Sequence, residues 1–274
     1  MIRIFVRAAA LLTLLIGTAT PAASTVAFTI RGSTLAALDA SMNQRVGPNG
    51  QTVHDITVIF RYGSGLAILE PMAELLLNNG VSSDPLSIKL TTATNGTITD
   101  ERIYGNVIVK EIGLPTMDAR SREEVNMQIK FEASSLQVGA TGGAAPKGST
   151  KFKIITASQF VAVVESLPST KITRIFAHRI LPCAQGGCDS LNRYEVELRG
   201  SDVAAWRTWF SKASVDPNYK VDGYYTVTGT DLATPIMRMK LTGMKPVSFA
   251  ESVDVDGPTA RVVFRAPNAR PNVY

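Results

Sequence analysis

The chain has 274 residues, 45% hydrophobic and 19% charged, with a formal net charge of +5, two histidines and two cysteines. Its cations are scattered: KFK at 151–153 and RMK at 238–240 alternate with apolar residues as solvated strand faces do, which excludes a contiguous nucleic-acid-binding stripe. Beyond the N-terminal segment no stretch is apolar enough to span a bilayer, so the sequence carries no stable membrane span.

The N-terminus has the parts of a secretory signal. Arg3 and Arg7 form a positive start, Ala8 to Gly17 an uncharged apolar run, and Thr18 to Ser24 a small-residue segment broken by Pro21. Cleavage after Ser24 fits best and after Ala22 second best. Residues 1–24 are therefore read as a signal peptide and the mature chain as periplasmic or secreted. About 250 residues remain, enough for one large domain or two of about 110–130.

Val138 to Thr150 (VGATGGAAPKGST) has no apolar periodicity and reads as a flexible linker between residues 25–137 and 151–274. The two parts share an order of elements. Each opens on an alternating segment, Val26 to Ile30 and Phe152 to Ile155. Each then has a strand pair around a loop, its second strand running into a Gly-Ser step: Ile56 to Tyr62 before Gly63-Ser64, and Tyr194 to Arg199 before Gly200-Ser201.

A helix is predicted next in each part. Leu66 to Asn79 places Leu66, Leu69, Ala73, Leu76 and Leu77 near one face, with Pro71 early enough to be tolerated. Asp202 to Ala213 places Val203, Trp206 and Phe210 on a core stripe with Trp209 beside it, and Ser201 or Asp202 as its cap. Three strands follow each helix: Leu86–Thr91, Arg102–Glu111 and Val125–Ala133 in the first part, Gly223–Thr228, Ile236–Lys245 and Ala260–Ala266 in the second. A bend precedes each last strand, at 114–119 and 247–252. Asn95-Gly96 is a hairpin-turn dipeptide, and with Thr97 it also reads as a glycosylation acceptor. The shared order reads as a duplication.

Catalytic signatures are missing: there is no G-x-S-x-G, H-E-x-x-H or G-x-x-x-x-G-K-[ST]. His178 reads as a sheet residue and His54 as a loop residue. Asp100 with Glu101 and Asp254 with Asp256 are the carboxylate pairs a hydrolase would need, in turn-like contexts where acids are ordinarily solvated. Tyr219, Tyr224 and Tyr225 are the candidates for a carbohydrate- or partner-binding surface. Cys183 and Cys188 flank Gly186-Gly187 in CAQGGC. In an oxidising compartment they are expected to form a disulfide, whereas a tetrahedral metal site would also need both histidines. No catalytic, cofactor or metal residue is assigned.

The second part resembles the tail-tube proteins of contractile phages and the hemolysin-coregulated tube protein of type VI secretion. The likeness rests on FKIITASQFVAVVESLPSTKITR at 152–174, GSDVAAWRTWF at 200–210 and TPIMRMKLTGMKPVSF at 234–249. The first part is similar to the same plan through YGSGLAILEPMAELLL at 62–77 and ERIYGNVIVKEIGLPTMD at 101–118. The resemblance implies a mainly β fold of two tandem small β-barrel domains, each with one flanking α-helix. It also implies a non-catalytic structural protein forming a ring-like homo-oligomer through sheet edges. Tandem copies would make a trimer with pseudo-sixfold symmetry, alongside a secretion or surface partner. Mass spectrometry of protein exported from a secreting host checks the processing: the mature chain is expected to begin at Thr25 and to resist thiol alkylation at Cys183 and Cys188 until reduced.

Overall fold

Among the described residues strands dominate the architecture, in a nearly closed, barrel-like arrangement with two helices. The computed structural model describes residues 24–78, 81–148, 152–182 and 192–274. In chain order the first region contains β1 (Ser24–Ile30), β2 (Ser33–Ala37), β3 (Asp39–Val46), β4 (Thr52–Arg61), α1 (Tyr62–Leu77), β5 (Ile88–Thr94), β6 (Thr97–Gly105), β7 (Ile108–Leu114), β8 (Met117–Asp118), β9 (Asn126–Ala133) and β10 (Ser135–Val138). The second contains β11 (Phe160–Val164), β12 (Ile172–Ile175), β13 (His178–Ile180), β14 (Arg193–Arg199), α2 (Asp202–Val215), β15 (Val221–Thr228), β16 (Pro235–Asp254), β17 (Gly257–Arg265) and β18 (Asn268–Val273). Alternation sets the strand faces: in β9, Met127, Ile129, Phe131 and Ala133 are buried and the residues between them are not.

Two long hairpins organise the sheets. In the first, β6 pairs β10 (Gly105↔Ser135) and β7 pairs β9 (Ile108↔Glu132), so both arms turn a corner together at Asn106 and Ser134. Asn106 sits at φ 51, a left-handed conformation that Asn tolerates. In the second, β16 pairs β18 (Thr242↔Asn268) and then β17 (Lys245↔Arg265), with its corner at Gly243 and Pro267. Gly243 has φ 69, where a side chain would be strained. The flanking strands follow one scheme in both hairpins. β5 lies on β6 and β4 on β9; β15 lies on β16 and β14 on β17. Beyond these, β1 pairs β5 and β3 pairs β4, while β11 pairs β15 and β12 pairs β14.

The regions are not held apart by a free tether. Past β10 the expected linker keeps to the edge of β6, through Gly139 N–H to the Glu101 carbonyl, Ile98 N–H to Gly143 and Gly142 N–H to Ile98. Its glycines let the backbone come that close, and the bonds supply what side chains cannot. The buried residues form one continuous cluster, from Phe28, Phe60 and Phe131 to Tyr194, Trp206 and Phe264. The regions also exchange strands: β13 pairs β7, and β8 pairs β12.

Several elements depart from the sequence reading. Residues 152–155 form no strand: the Ile155 carbonyl accepts the Val125 N–H, and the Lys153 carbonyl presses on Gly63, where a Cβ has no room. The run expected as one strand at 102–111 is the corner between β6 and β7. The bend expected at 247–252 is instead the outer half of β16, reached through a bulge at Pro246–Ser248 that absorbs the proline's missing N–H. Asn95 and Gly96, at φ 52 and 80, do make the turn between β5 and β6.

The helices differ in role. α2 flanks the sheet, burying Val203, Trp206 and Trp209, while Phe210 stacks on Phe249 at the margin. α1 does not flank. It begins four residues before the expected start and is buried on most sides, by Tyr62, Leu66, Ile68, Leu69, Met72, Leu75 and Leu76. Pro71 is therefore mid-helix, on the less buried face with Ala67, Glu70 and Glu74, where the carbonyl it cannot bond is near water. The last strand docks here: Val273 N–H donates to Glu70.

A shared core predicts shared unfolding. Leu69→Ala, a fully buried truncation in the first region, is expected to cost about 2–5 kcal/mol. Because Trp206 and Trp209 lie in the second region, tryptophan fluorescence in urea should report the full shift, in one transition coincident with circular dichroism.

Candidate functional site

The exchanged strands build a polar junction inside the protein. β13 places His178 opposite Leu114 of β7, and its buried ring packs against Tyr194 and Tyr225, the latter neighbouring Tyr62. A carbonyl can only accept, so His178 Nδ1–H donates to the Phe176 carbonyl at 3.1 Å. That leaves Nε2 to accept the Tyr225 hydroxyl at 2.9 Å. Burial drives the imidazole pKa down to about 4, the bond to Phe176 opposing it weakly. Burial pushes the Tyr62, Tyr194 and Tyr225 hydroxyls upward. The cluster is neutral at ordinary pH and closed to solvent. Tyr194 stacks on Phe264 at 5.7 Å, and its buried hydroxyl has no partner among the described residues.

Beside it, the pairing of β8 with β12 sets Asp118 against Arg174. Asp118 accepts from Arg174 Nε at 2.8 Å and from the Arg120 backbone N–H at 2.9 Å. Burial alone would raise this carboxyl; the bonds from Arg120 and Arg174 outweigh it and hold the pKa at about 2. Glu197 continues the network between Arg174, Arg120 and Arg199. Sequence inspection finds Asp118 only as an acid in a bend, because its main partner lies 56 residues on. Tyr62 gives no local signal for a similar reason: it reads as a strand end, and its partner Tyr225 comes from the other region.

The candidates named from sequence are dispersed. Asp100 pairs with Arg102 at 2.9 Å and Glu101 with Lys89 at 3.2 Å; being adjacent in β6, they face opposite ways. Asp254 and Asp256 both bind Arg199, at 3.3 and 3.1 Å. Each acid is thus matched to a cation. His54 is a β4 strand residue, not a loop residue, lying edge-on to Tyr104. Tyr225 is in the core and Tyr219 packs partly against it. Tyr224, on the opposite face of β15, is the one of the three positioned outward, with the Arg238 guanidinium 4.4 Å from its ring centre. Cys183 and Cys188 lie outside the described residues. A groove of about 530 Å³ beside the junction is lined by Ile59, Leu114, Met127, Gln128 and the rim of β13, and holds no acid–base pair.

Among the described residues, β3 and the outer half of β16 beyond Lys245 each pair on one side only, as do β2, β10, β11 and β18 at the ends of their sheets. β3 and outer β16 are largely exposed. No helix among the described residues is long and apolar enough to cross a membrane. No protein-family model matches the chain, and no curated protein matches it.

The junction is expected to titrate. The unfolded histidine gains a proton as pH falls below about 6.5, whereas His178 in the folded protein stays neutral down to about 4. Stability should therefore fall by about 3 kcal/mol between those pH values and then level for this group. Asp118 adds a separate loss as pH falls from the ordinary carboxylate range toward 2. In urea titrations across pH, His178→Gln should abolish the slope above pH 4 and leave the lower one.

Proposed function

We propose that this chain is an exported, non-catalytic structural protein that associates with further copies of itself through sheet edges. In this reading it is built from two tandem units of the tail-tube kind, fused on a common core. The observation that carries it is the repeated pairing scheme around the two long hairpins. In that scheme β7 corresponds to the outer half of β16, and β3 to β12. Inside the chain, the edge of β7 is covered by β13 and that of β12 by β8. Their counterparts, outer β16 and β3, pair on one side only among the described residues. An unpaired edge offers N–H and C=O groups to another chain. Contact between β3 of one copy and outer β16 of the next would repeat the internal junction between copies.

Such a contact is head-to-tail, so it yields a ring if the rotation closes and a filament if it does not. Three chains of two units give the pseudo-sixfold ring that the resemblance implies. The pairing of each candidate acid with a cation favours a structural role over a hydrolytic one. A binding module based on loop tyrosines has Tyr224 as its remaining support. Export follows from the N-terminal signal; β1 pairing begins at Ser24, the last residue of that segment, and continues from Thr25 in the mature chain.

Light scattering of the mature protein across a concentration series tests the reading, with electron microscopy of any assembly. Oligomers are expected, and Asn43→Lys on β3 or Ala250→Lys on β16 should each dissociate them while moving monomer stability by less than about 0.5 kcal/mol. A clean monomer at high concentration overturns it.

A further inference from the structure

We propose that the outward face of the corner at Gly243 and Pro267 is a binding site for a phosphate or sulfate group. Arg193 of β14, Arg265 of β17 and Lys245 of β16 stand directly opposite one another in a single cross-strand row. All three are exposed. Side chains so placed have Cβ atoms about 5 Å apart, and like charges there repel. Elsewhere the sheets relieve such crowding with acids, as in Arg199 with Asp254 and Lys130 with Glu111. This row has no such relief: among the described residues none of the three lies within 4 Å of a carboxylate.

The corner makes the row concave. A groove of about 330 Å³ is lined by Lys220, Lys245 and Arg265 together with Gly243, Pro246 and Pro267, and no carboxylate lines it. Asp222 lies under the corner, where its Oδ1 accepts the Gly243 N–H at 2.7 Å and so is committed to the backbone. Two prolines and the hairpin ladder fix the backbone that carries these cations, so little ordering is needed on binding. Farther up the same outward face Lys240 stands opposite Arg270, another like-charged pair that adds to the local positive potential. A doubly charged oxyanion is the ligand this array suits. Arg265 can meet two of its oxygens with a planar fork, while Lys220 and Lys245 close on it as point charges.

Isothermal titration of the mature protein with sodium phosphate and sodium sulfate, each against sodium chloride of equal ionic strength, tests this. One saturable site is expected for the oxyanions, weakened at least about tenfold in K245Q/R265Q. It should be unchanged in K212Q, which removes a cation from the exposed side of α2. Thermal melts supply a second readout. Without oxyanion at low salt, R265Q should melt about 2 °C above the parent, because a like charge is gone; in excess phosphate the order should reverse. Equal heats for phosphate, sulfate and chloride overturn the proposal, as does equal weakening in K212Q or an R265Q melt below the parent in both conditions. Once phosphate binding is established, cosedimentation with phosphatidylglycerol vesicles that is lost in K245Q/R265Q assigns the group to a lipid headgroup. Its absence assigns a soluble ligand.

Discussion

Backbone pairing carried past a corner along two long hairpins is the constraint that organises this protein. Each hairpin passes from one sheet to another and resumes its ladder beyond the corner, so the corner must bend both arms at the same level. That requirement explains the residues there. Asn106 and Gly243 accept positive φ, and Pro267 stands where β17 gives way to β18 and donates nothing. Once the corners are set, the third strand lies on one arm above the bend and on the other arm below it. The sheets then curl toward closure, and their inner faces meet over a common core.

The junction between the regions follows from the same geometry. Short strands β8 and β13 each cover an edge that would otherwise be open, and they bring polar groups into the interior with them. His178, Tyr225 and the Phe176 carbonyl satisfy one another in series. Asp118 is held by two arginines from opposite sides of the joint. A buried polar network of this kind specifies one way of fitting the surfaces together, since a shifted register would strand the imidazole or the carboxylate without partners. Among the described residues the Tyr194 hydroxyl has no partner, so the network leaves one buried group unsatisfied by them. Association through β3 and outer β16, and oxyanion capture at the second corner, would both use what the hairpins leave over: unpaired edges in one case, unneutralised charge in the other.

Local pattern made part of this legible. Alternation located β9, β15 and β17, Asn95-Gly96 marked its turn, and the Gly200-Ser201 step announced α2. The same reasoning failed where a long-range contact overrode it. Phe152 to Ile155 alternates like a strand, yet its partner is an irregular stretch of the first region. Residues 139–143 have a linker's composition, yet they hydrogen-bond along β6. Residues 102–111 read as a single strand because a corner at Asn106 does not interrupt the apolar rhythm.

By itself, the sequence determined a strand-rich chain with two helices, and it placed most strand centres, because side-chain alternation is a local property of each segment. It also showed that the cations were scattered in order along the chain. Only the tertiary structure decided which strands became neighbours, that α1 was buried and not flanking, and that Arg193, Lys245 and Arg265 came to stand side by side. Those outcomes depend on pairing between residues tens of positions apart, and no local periodicity encodes a partner.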